Sequence, residues 1–565
     1  MNGAARMDGS ARTPWPRWLR RGAPAALAAA ALLAGGTACM DTPHYSPSRT
    51  YYVSPHGDDD NEGTSAGDAW RTLDRAERTG LEPGDRLLLK GGERFSGTVT
   101  LKADEAGDAD RPVVVGSYGE GRARIDAEDG PGVSVHNTAG VQIRDLELNG
   151  AGSSYTDDGG VNAYHDRGGG DRLSGIGISR VDVSGFKVGI SVGGEKAGTG
   201  FADVSVTDSR LHDNKDSGLL TYGPEFDAGD PQYAHEDVTV ERVETYANRG
   251  DPEQNDTHSG NGIILGGVRE AAVRDSSAHD NGGRSAAGAP AGPVGIWAYD
   301  ASEVVLEHNR SYRNHTGSSV DGAGFGLDSS VSDSTVQYNL AFGNDGPGYY
   351  AYTNTANGAH KDNTIRYNVS SDDGRKLARN GGLSVHGKDI RDLAVYQNTV
   401  IMPESPNGTA PAVRLQDGER GVSFRNNLFV TENAPTVNAE RGLDRGHVVF
   451  QGNNYRVAGG DSEPSFDWGG TSYSGLGSWR SGTGQERDGD RSTGGTTGPC
   501  LAGGDLPVID STGDAPSVVP DCDALAGKGL DLSDRFGISP GDEDYFGNHV
   551  GTPPPVGAAV PEPED

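Results

Sequence analysis

Residues 336–352 read VQYNLAFGNDGPGYYAY: an Asn, a second Asn five positions on, then a Gly that opens a short apolar strand. The same order recurs before and after it, in VTDSRLHDN…SGLLTY, VERVETYAN…NGIILG, VRDSSAHDN…VGIWAY, LEHNRSYRN…AGFGLD and IRYNVSSDD…GGLSVH. Asn309, Asn339, Asn368, Asn398 and Asn427 fall 29 or 30 residues apart, and Asn214, Asn248, Asn281, Asn314 and Asn344 fall 30 to 34 apart. A fixed period of this size marks a solenoid. Each period holds short strands with alternating apolar residues and no amphipathic helix, which selects an all-β solenoid over helical repeats. Stacked turns would let the Asn side chains bond one another from coil to coil.

Composition agrees with one elongated repeat architecture. The 565-residue chain carries 88 glycines and only 33% apolar residues, too few for several conventional cores. Its net charge of −33 disfavours nucleic acid or an anionic membrane surface as partner. A monomer is expected.

The N-terminus reads as an export signal. Arg17, Arg20 and Arg21 precede the apolar run APAALAAAALLAGG, too short for a permanent span, and GTAC ends on Cys39. That ending resembles a bacterial lipobox, whose cysteine is lipidated, although Gly36 stands where the pattern has Leu. Cleavage by an ordinary signal peptidase is the alternative. The expected location is therefore outside the cell or on its surface, with any membrane attachment through the lipid. Residues 40–50 form a tether. Cys500 and Cys522 are the remaining cysteines and are expected to pair in an oxidising compartment.

The repeat resembles the right-handed parallel β-helix of pectate lyases and several glycoside hydrolase families. YYVSPHGDDDNEGTSAGDAWRTLDRA, from Tyr51, is similar to the capping segment of secreted members, and PGDRLLLKGGERFSG and RPVVVGSYGEGRARID to their first coils. DYFGNHVGTPPPVGA looks like their closing segment. The expected organisation is a cap with first coils over 51–132, the β-helix over 133–455, and a C-terminal extension over 456–565. Within that extension, GTGQERDGDRSTGGTTG reads as a flexible loop and PPPVGAAVPEPED as a frayed tail.

Register locates a candidate site. Aligned on Gly189, Gly218, Gly262, Gly295, Gly324, Gly348 and Gly382, the first and third following residues are apolar and face the interior. The second and fourth then face outward. The fourth positions include Tyr222, Tyr299, Asp328, Tyr352 and His386, and the second include Trp297, Gly326 and Tyr350. Asp328 is thus predicted among Tyr299, Tyr352, Trp297 and Tyr350, with a gap at Gly326. Aromatic rings beside a carboxylate suit a polysaccharide or oligosaccharide, since pyranose faces stack on rings. The bland alternative is that the rings pack beneath long loops.

Glycoside hydrolysis needs two carboxyls. Asp328 is the first choice, with Asp321, Asp345 or Asp300 as partner; Asp321 and Asp345 are expected to neighbour one another on adjacent coils. No cofactor is needed for that chemistry. A uronate lyase is the second reading, with calcium at Asp321, Asp328 and Asp345 and a base from Arg375, Lys376 or Lys388. A glycan binder without catalysis is the third. His258, His315 and His386 could assist an enzyme or simply bond loop carbonyls.

Overall fold

The computed structural model describes residues 47–561 apart from 104, 106, 109, 153–158, 197, 406, 409, 417 and 461. The export signal, with Cys39, lies outside the described residues. From Ser48 onward the chain forms one compact unit.

That unit is a parallel β-solenoid. Three sheets run its length, and each coil adds one strand to each in turn. The first sheet runs from Thr50–Val53 to Val448–Gln451 and the second from Arg94–Ser96 to Asn454–Val457. The third runs from Val99–Leu101 to Ser465–Trp468, with Thr471–Ser474 added antiparallel at its end. The last coil therefore extends past residue 455, to Trp468. Inward residues stack in register, as in Ile263, Ile296, Phe325, Tyr349 and Leu383 of the third sheet. The Phe325 and Tyr349 rings lie 5.1 Å apart and nearly parallel. Tyr349 sits inside this column because its hydroxyl donates to the carbonyls of Asn339 and Val369.

The corners that carry an Asn explain the repeat. At each, a residue with positive φ turns the chain (Asp213, Asp280, Arg313, or His308, Tyr338, Tyr367) and an Asn follows. Asn214, Asn248, Asn281, Asn314 and Asn344 form one buried ladder, which ends on Asp373. Asn309, Asn339, Asn368, Asn398, Asn427 and Asn453 form the other, which ends on Glu486. At every step the backbone N–H and the Nδ2 of one Asn both donate to the carboxamide oxygen of the next. For Asn309 onto Asn339 the distances are 2.9 and 3.1 Å. The glycine that opens each third-sheet strand is required by the same corner. A Cβ on Gly295 would lie 2.0 Å from Ser311 Oγ, and one on Gly348 would lie 2.4 Å from Asp373 Oδ2.

Both ends are closed. At the N-terminal end, helix Leu73–Glu77 is capped by Thr72, and Trp70 stacks on Tyr51 at 5.0 Å. At the far end, helix Leu476–Thr483 lays Trp479 flat on Phe466, with centroids 4.3 Å apart. The stretch expected as a flexible loop instead holds the paired strands Arg487–Asp488 and Arg491–Ser492. It also holds the buried Glu486, because the last Asn of the ladder needs an acceptor. The tail is likewise packed rather than frayed as far as Ala559. Val556 and Ala558 join Leu340, Phe342, Ile401 and Leu428 in an apolar cluster on the second sheet. Cys500 and Cys522 form a disulfide in this extension.

Candidate active site on the third sheet

Register on the outer face is as the glycine alignment predicts. Trp297 pairs with Gly326, Gly326 with Tyr350, and Tyr352 with His386. The Asp328 amide donates to the Ala298 carbonyl at 2.8 Å, which sets Asp328 beside Tyr299. Long loops leave the coil just before this sheet, at 249–260, 282–293, 315–322 and 374–382. They brace one another: Gly317 N–H donates to Ser285 Oγ, and the Lys376 ammonium donates to the Thr316 carbonyl.

The aromatic platform is smaller than expected. Trp297 is 6% exposed and Tyr350 3%, packed with Ile264, Val294 and Ala323 in a separate outer cluster. The Trp297 indole N–H donates to Asn261 Oδ1 at 3.2 Å, and His258 stands edge-on to its ring. Trp297 therefore supports the floor. Nor does Gly326 leave a gap, because the Tyr350 ring fills it: a Cβ there would lie 2.3 Å from Tyr350 Cζ. That placement brings the Tyr350 hydroxyl to Asp328 Oδ2, to which it donates at 3.1 Å. Tyr299, Tyr352, Tyr222 and His386 remain part-exposed.

Four acids fare differently. Asp328 accepts from Ser329 N–H at 2.6 Å and Ser329 Oγ–H at 3.0 Å, besides Tyr350. Burial raises its pKa, and these three bonds oppose the rise. Asp321 accepts one bond, from Gly292 N–H at 2.7 Å. Burial pushes it up to about 7, and the Asp328 charge adds to the rise. Asp300 is held at about 6 by burial, again with a contribution from Asp328. Asp345 does not join this group. Its carboxylate accepts from Thr316 N–H at 2.9 Å and lies 3.4 Å from His315 Nδ1, so it fastens the 315–322 loop. Asp321 and Asp345 do neighbour one another on adjacent coils, as expected, but their carboxylates turn to different partners, and Asp328 is the acid whose charge bears on Asp321. Asp321 and Asp328 act on the same two tyrosines, Tyr350 and Tyr352.

The histidines near the site are neutral or engaged elsewhere. Burial drops His258 to about 4, and burial with the Arg414 and Arg379 charges does the same to His386. His360 is fully buried and its Nδ1 lies 3.0 Å from the Asp328 carbonyl, bracing the strand end from behind. The basic residues considered for a lyase are spent on other partners or exposed. Arg375 pairs with Asp372, Lys376 serves Thr316, and Lys388 is exposed. Among the described residues, no three His, Cys, Asp or Glu side chains converge so as to hold a metal ion. Asp321, Asp328 and Asp345 in particular do not form one donor set.

Two outward residues were missed by the sequence reading. His136 and Tyr164 pair with each other in register and continue the column that holds Tyr222 and Tyr299. The signal was present: GVSVH from Gly132 and GVNAY from Gly160 have the same Gly–apolar–x–apolar–x frame.

No family model matches the chain. Over 91 residues, 16% of its length, it is 40% identical to a lacto-N-biosidase of Bifidobacterium longum subsp. longum, and that stretch covers 5% of the relative. Among solved structures it is similar to the GH136 lacto-N-biosidase of Eubacterium ramulus, at 18% identity and a TM-score of 0.49, over 65% of each chain. It is also similar to the A-module of a mannuronan C-5 epimerase from Azotobacter vinelandii, at 18% identity and a TM-score of 0.41, over 60% of this chain and 85% of that one. The chain spans a twentieth of the curated relative and just under two thirds of the first of these structures.

Proposed function

We propose that the protein is a glycoside hydrolase that cleaves an oligosaccharide or polysaccharide with Asp321 as general acid and Asp328 as nucleophile or base. The observation that carries this reading is the contrast between two carboxyls that flank the strand Ala323–Leu327, one of them raised in part by the charge of the other. Asp321 is half-buried with a single N–H donor, and loss of solvent pushes it up to about 7. Asp328 accepts three hydrogen bonds that favour its charged form. Burial raises both acids, and the three bonds to Asp328 against one to Asp321 are the difference that would divide the pair into acid and base. Asp321 would protonate the departing glycosidic oxygen while Asp328 attacks the anomeric carbon or activates water. Tyr299 and Tyr352 flank Asp328 and offer ring surface to the sugar. The relatives named as lacto-N-biosidases make glycans with a terminal lacto-N-biose unit the first substrates to try.

The test is a glycan panel incubated with the purified protein, followed by reducing ends and by the ultraviolet absorbance of unsaturated uronates. New reducing ends without unsaturated products are expected, and they should vanish in Asp328→Asn. Unsaturated products would replace the hydrolase reading with a lyase, and silence in both assays would leave a glycan binder. The anomer first released, read by proton magnetic resonance, assigns Asp328 as nucleophile if configuration is retained and as base if inverted.

Export with a lipid on Cys39 is part of the same proposal and is supported by the basic, apolar and GTAC segments of the N-terminus. Labelled palmitate should enter the wild type in a bacterial host and not Cys39→Ala.

A further inference from the structure

The face that holds Asp328 continues for several coils toward the N-terminus. Its outward column runs Tyr299, Gly266, Tyr222, Gly193, Tyr164 and His136, in register from coil to coil. The alternation of Tyr with Gly has a geometric consequence. A Cβ on Gly266 would lie 2.2 Å from Tyr299 Cζ, and one on Gly193 would lie 2.3 Å from Tyr222 Cζ. The Tyr299 and Tyr222 rings therefore reach back over the bare Cα of the preceding coil, whereas Tyr164 lies between Tyr222 and His136, 6.5 and 6.2 Å away, with planes within 24° and 9°. The second sheet shows a different arrangement. There the rings of His212, Tyr246, His279, Tyr312 and Phe342 stand in a stack, 4.7 to 5.4 Å apart with planes within 7°. Standing rings offer only edges to solvent, whereas a ring laid on the sheet can offer its face. Tyr222 and Tyr164 are part-exposed and His136 is exposed.

Polar partners accompany the rings. Ser134, Asn162 and Ser191 form the adjacent outward column, in register. The Tyr164 hydroxyl donates to Glu195, and His136 Nε2 lies 2.8 Å from Asp166 Oδ2. A column of rings beside a column of small hydroxyl and amide groups matches the two surfaces of a pyranose chain, its C–H faces and its hydroxyl edges. The carboxylates of Glu195 and Asp166, in a chain of net charge −33, oppose an acidic glycan.

We propose that Tyr222, Tyr164 and His136 form distal subsites that hold a neutral linear oligosaccharide along the solenoid axis, on the N-terminal side of Asp328. The inference rests on the reading of Asp321 and Asp328 as the hydrolytic pair. Tyr164 lies five coils from Asp328, or about 24 Å at a strand spacing of about 4.8 Å. The ligand is accordingly a chain of several sugar units.

The experiment uses the Asp328→Asn protein, titrated calorimetrically with neutral β-galactan, N-acetyllactosamine, xylan and mannan series from disaccharide to octasaccharide. At least one series should bind about tenfold more tightly at hexasaccharide than at disaccharide. Tyr164→Ala and Tyr222→Ala, each introduced into that protein, should flatten this rise, while Tyr164→Phe should keep it. Thermal unfolding checks that each variant is folded. Affinity independent of length in every series, a rise that survives Tyr164→Ala, or no binding at all would overturn the proposal. Length-dependent binding by a wild type that cleaves nothing would sink the hydrolase reading and leave the subsites standing. Cleavage of short glycans without any length dependence would do the reverse.

Discussion

Replacing Tyr350 by Phe removes one oxygen and tests the site more sharply than removing a carboxylate. The ring would keep its seat over Gly326, and only the hydrogen bond to Asp328, 3.1 Å long, would be lost. Hydrogen bonds to a charged group contribute about 1.5–3 kcal/mol. Losing this one should raise the Asp328 pKa further, at about 1.4 kcal/mol for each tenfold in the ionisation equilibrium. The sign follows from which form the bond favours. The hydroxyl donates to the carboxylate, so its loss stabilises the protonated acid and the pKa climbs. If Asp328 must be ionised, the acid limb of kcat/KM should move up in pH accordingly. At a pH below both limbs the rate should fall roughly ten- to hundredfold. The alkaline limb, set by Asp321 near pH 7, should stay, so the active window narrows from its acid side. The assay is the pH profile of kcat/KM on the glycan that scores in the panel, with thermal unfolding as the control for folding. An acid limb that stays put or moves down, in a protein that Asp328→Asn inactivates, would refute the assignment of Asp328 as the ionised partner.

Asp321→Asn should cost about 10²- to 10⁴-fold in kcat and abolish the alkaline limb near pH 7, with the loss smallest on aryl glycosides whose leaving group needs no proton. Gly326→Ala would place a methyl 2.3 Å from Tyr350 Cζ and push the ring off its seat, so it should reproduce the acid-limb shift of Tyr350→Phe. Asn339→Ala would leave the buried Asn309 N–H without its acceptor and remove the bonds of Asn339 to Leu306 and Asn368. At about 1–3 kcal/mol for the orphaned group, with the lost bonds added, it should destabilise the fold by about 3 kcal/mol, read as a lower urea midpoint.

The solenoid was legible because its cause is local and repeats. At the corners that carry the two ladders a positive-φ residue precedes each Asn, and a Gly clears the space beside the ladder, so both leave a period in the sequence. Face assignment followed from alternation alone, and Asp328 was placed beside Tyr299 and Tyr352 by counting. What counting missed was set by side chains and loops. Trp297 and Tyr350 were assigned outward as they are, but nothing periodic says that His258 of the 249–260 loop would pack on the Trp297 ring or that Tyr350 would fold back over Gly326. Asp321 and Asp345 occupy equivalent places before their glycines, yet Asp345 turns to the 315–322 loop and Asp321 to Gly292. That choice depends on which free N–H each carboxylate meets, and backbone spacing does not record it. Glu486 and the packed tail were read as loose because their composition is polar or Pro-rich. Their order comes from partners far away in sequence, Asn453 and the second sheet.

The place where the long loops leave the coil has a consequence for how such a protein can change. Loops 249–260, 282–293, 315–322 and 374–382 each depart directly after a ladder residue: Asn248, Asn281, Asn314 and Asp373. The corner is already locked before the excursion begins, and the next strand's glycine locks it again on return. Doubling a flexible loop then costs only about 0.6 kcal/mol in closure entropy, less than a single orphaned rung of the ladder. Insertions into 249–260 and 374–382 are cheap and leave Asp328 at the end of its strand, whereas 282–293 and 315–322 carry Gly292 and Asp321 themselves and are not free to vary. The scaffold thus divides its long loops into two tied to the acid pair and two that can vary, and grafting the latter between related solenoids at the ladder boundaries is a direct route to new sugar preferences.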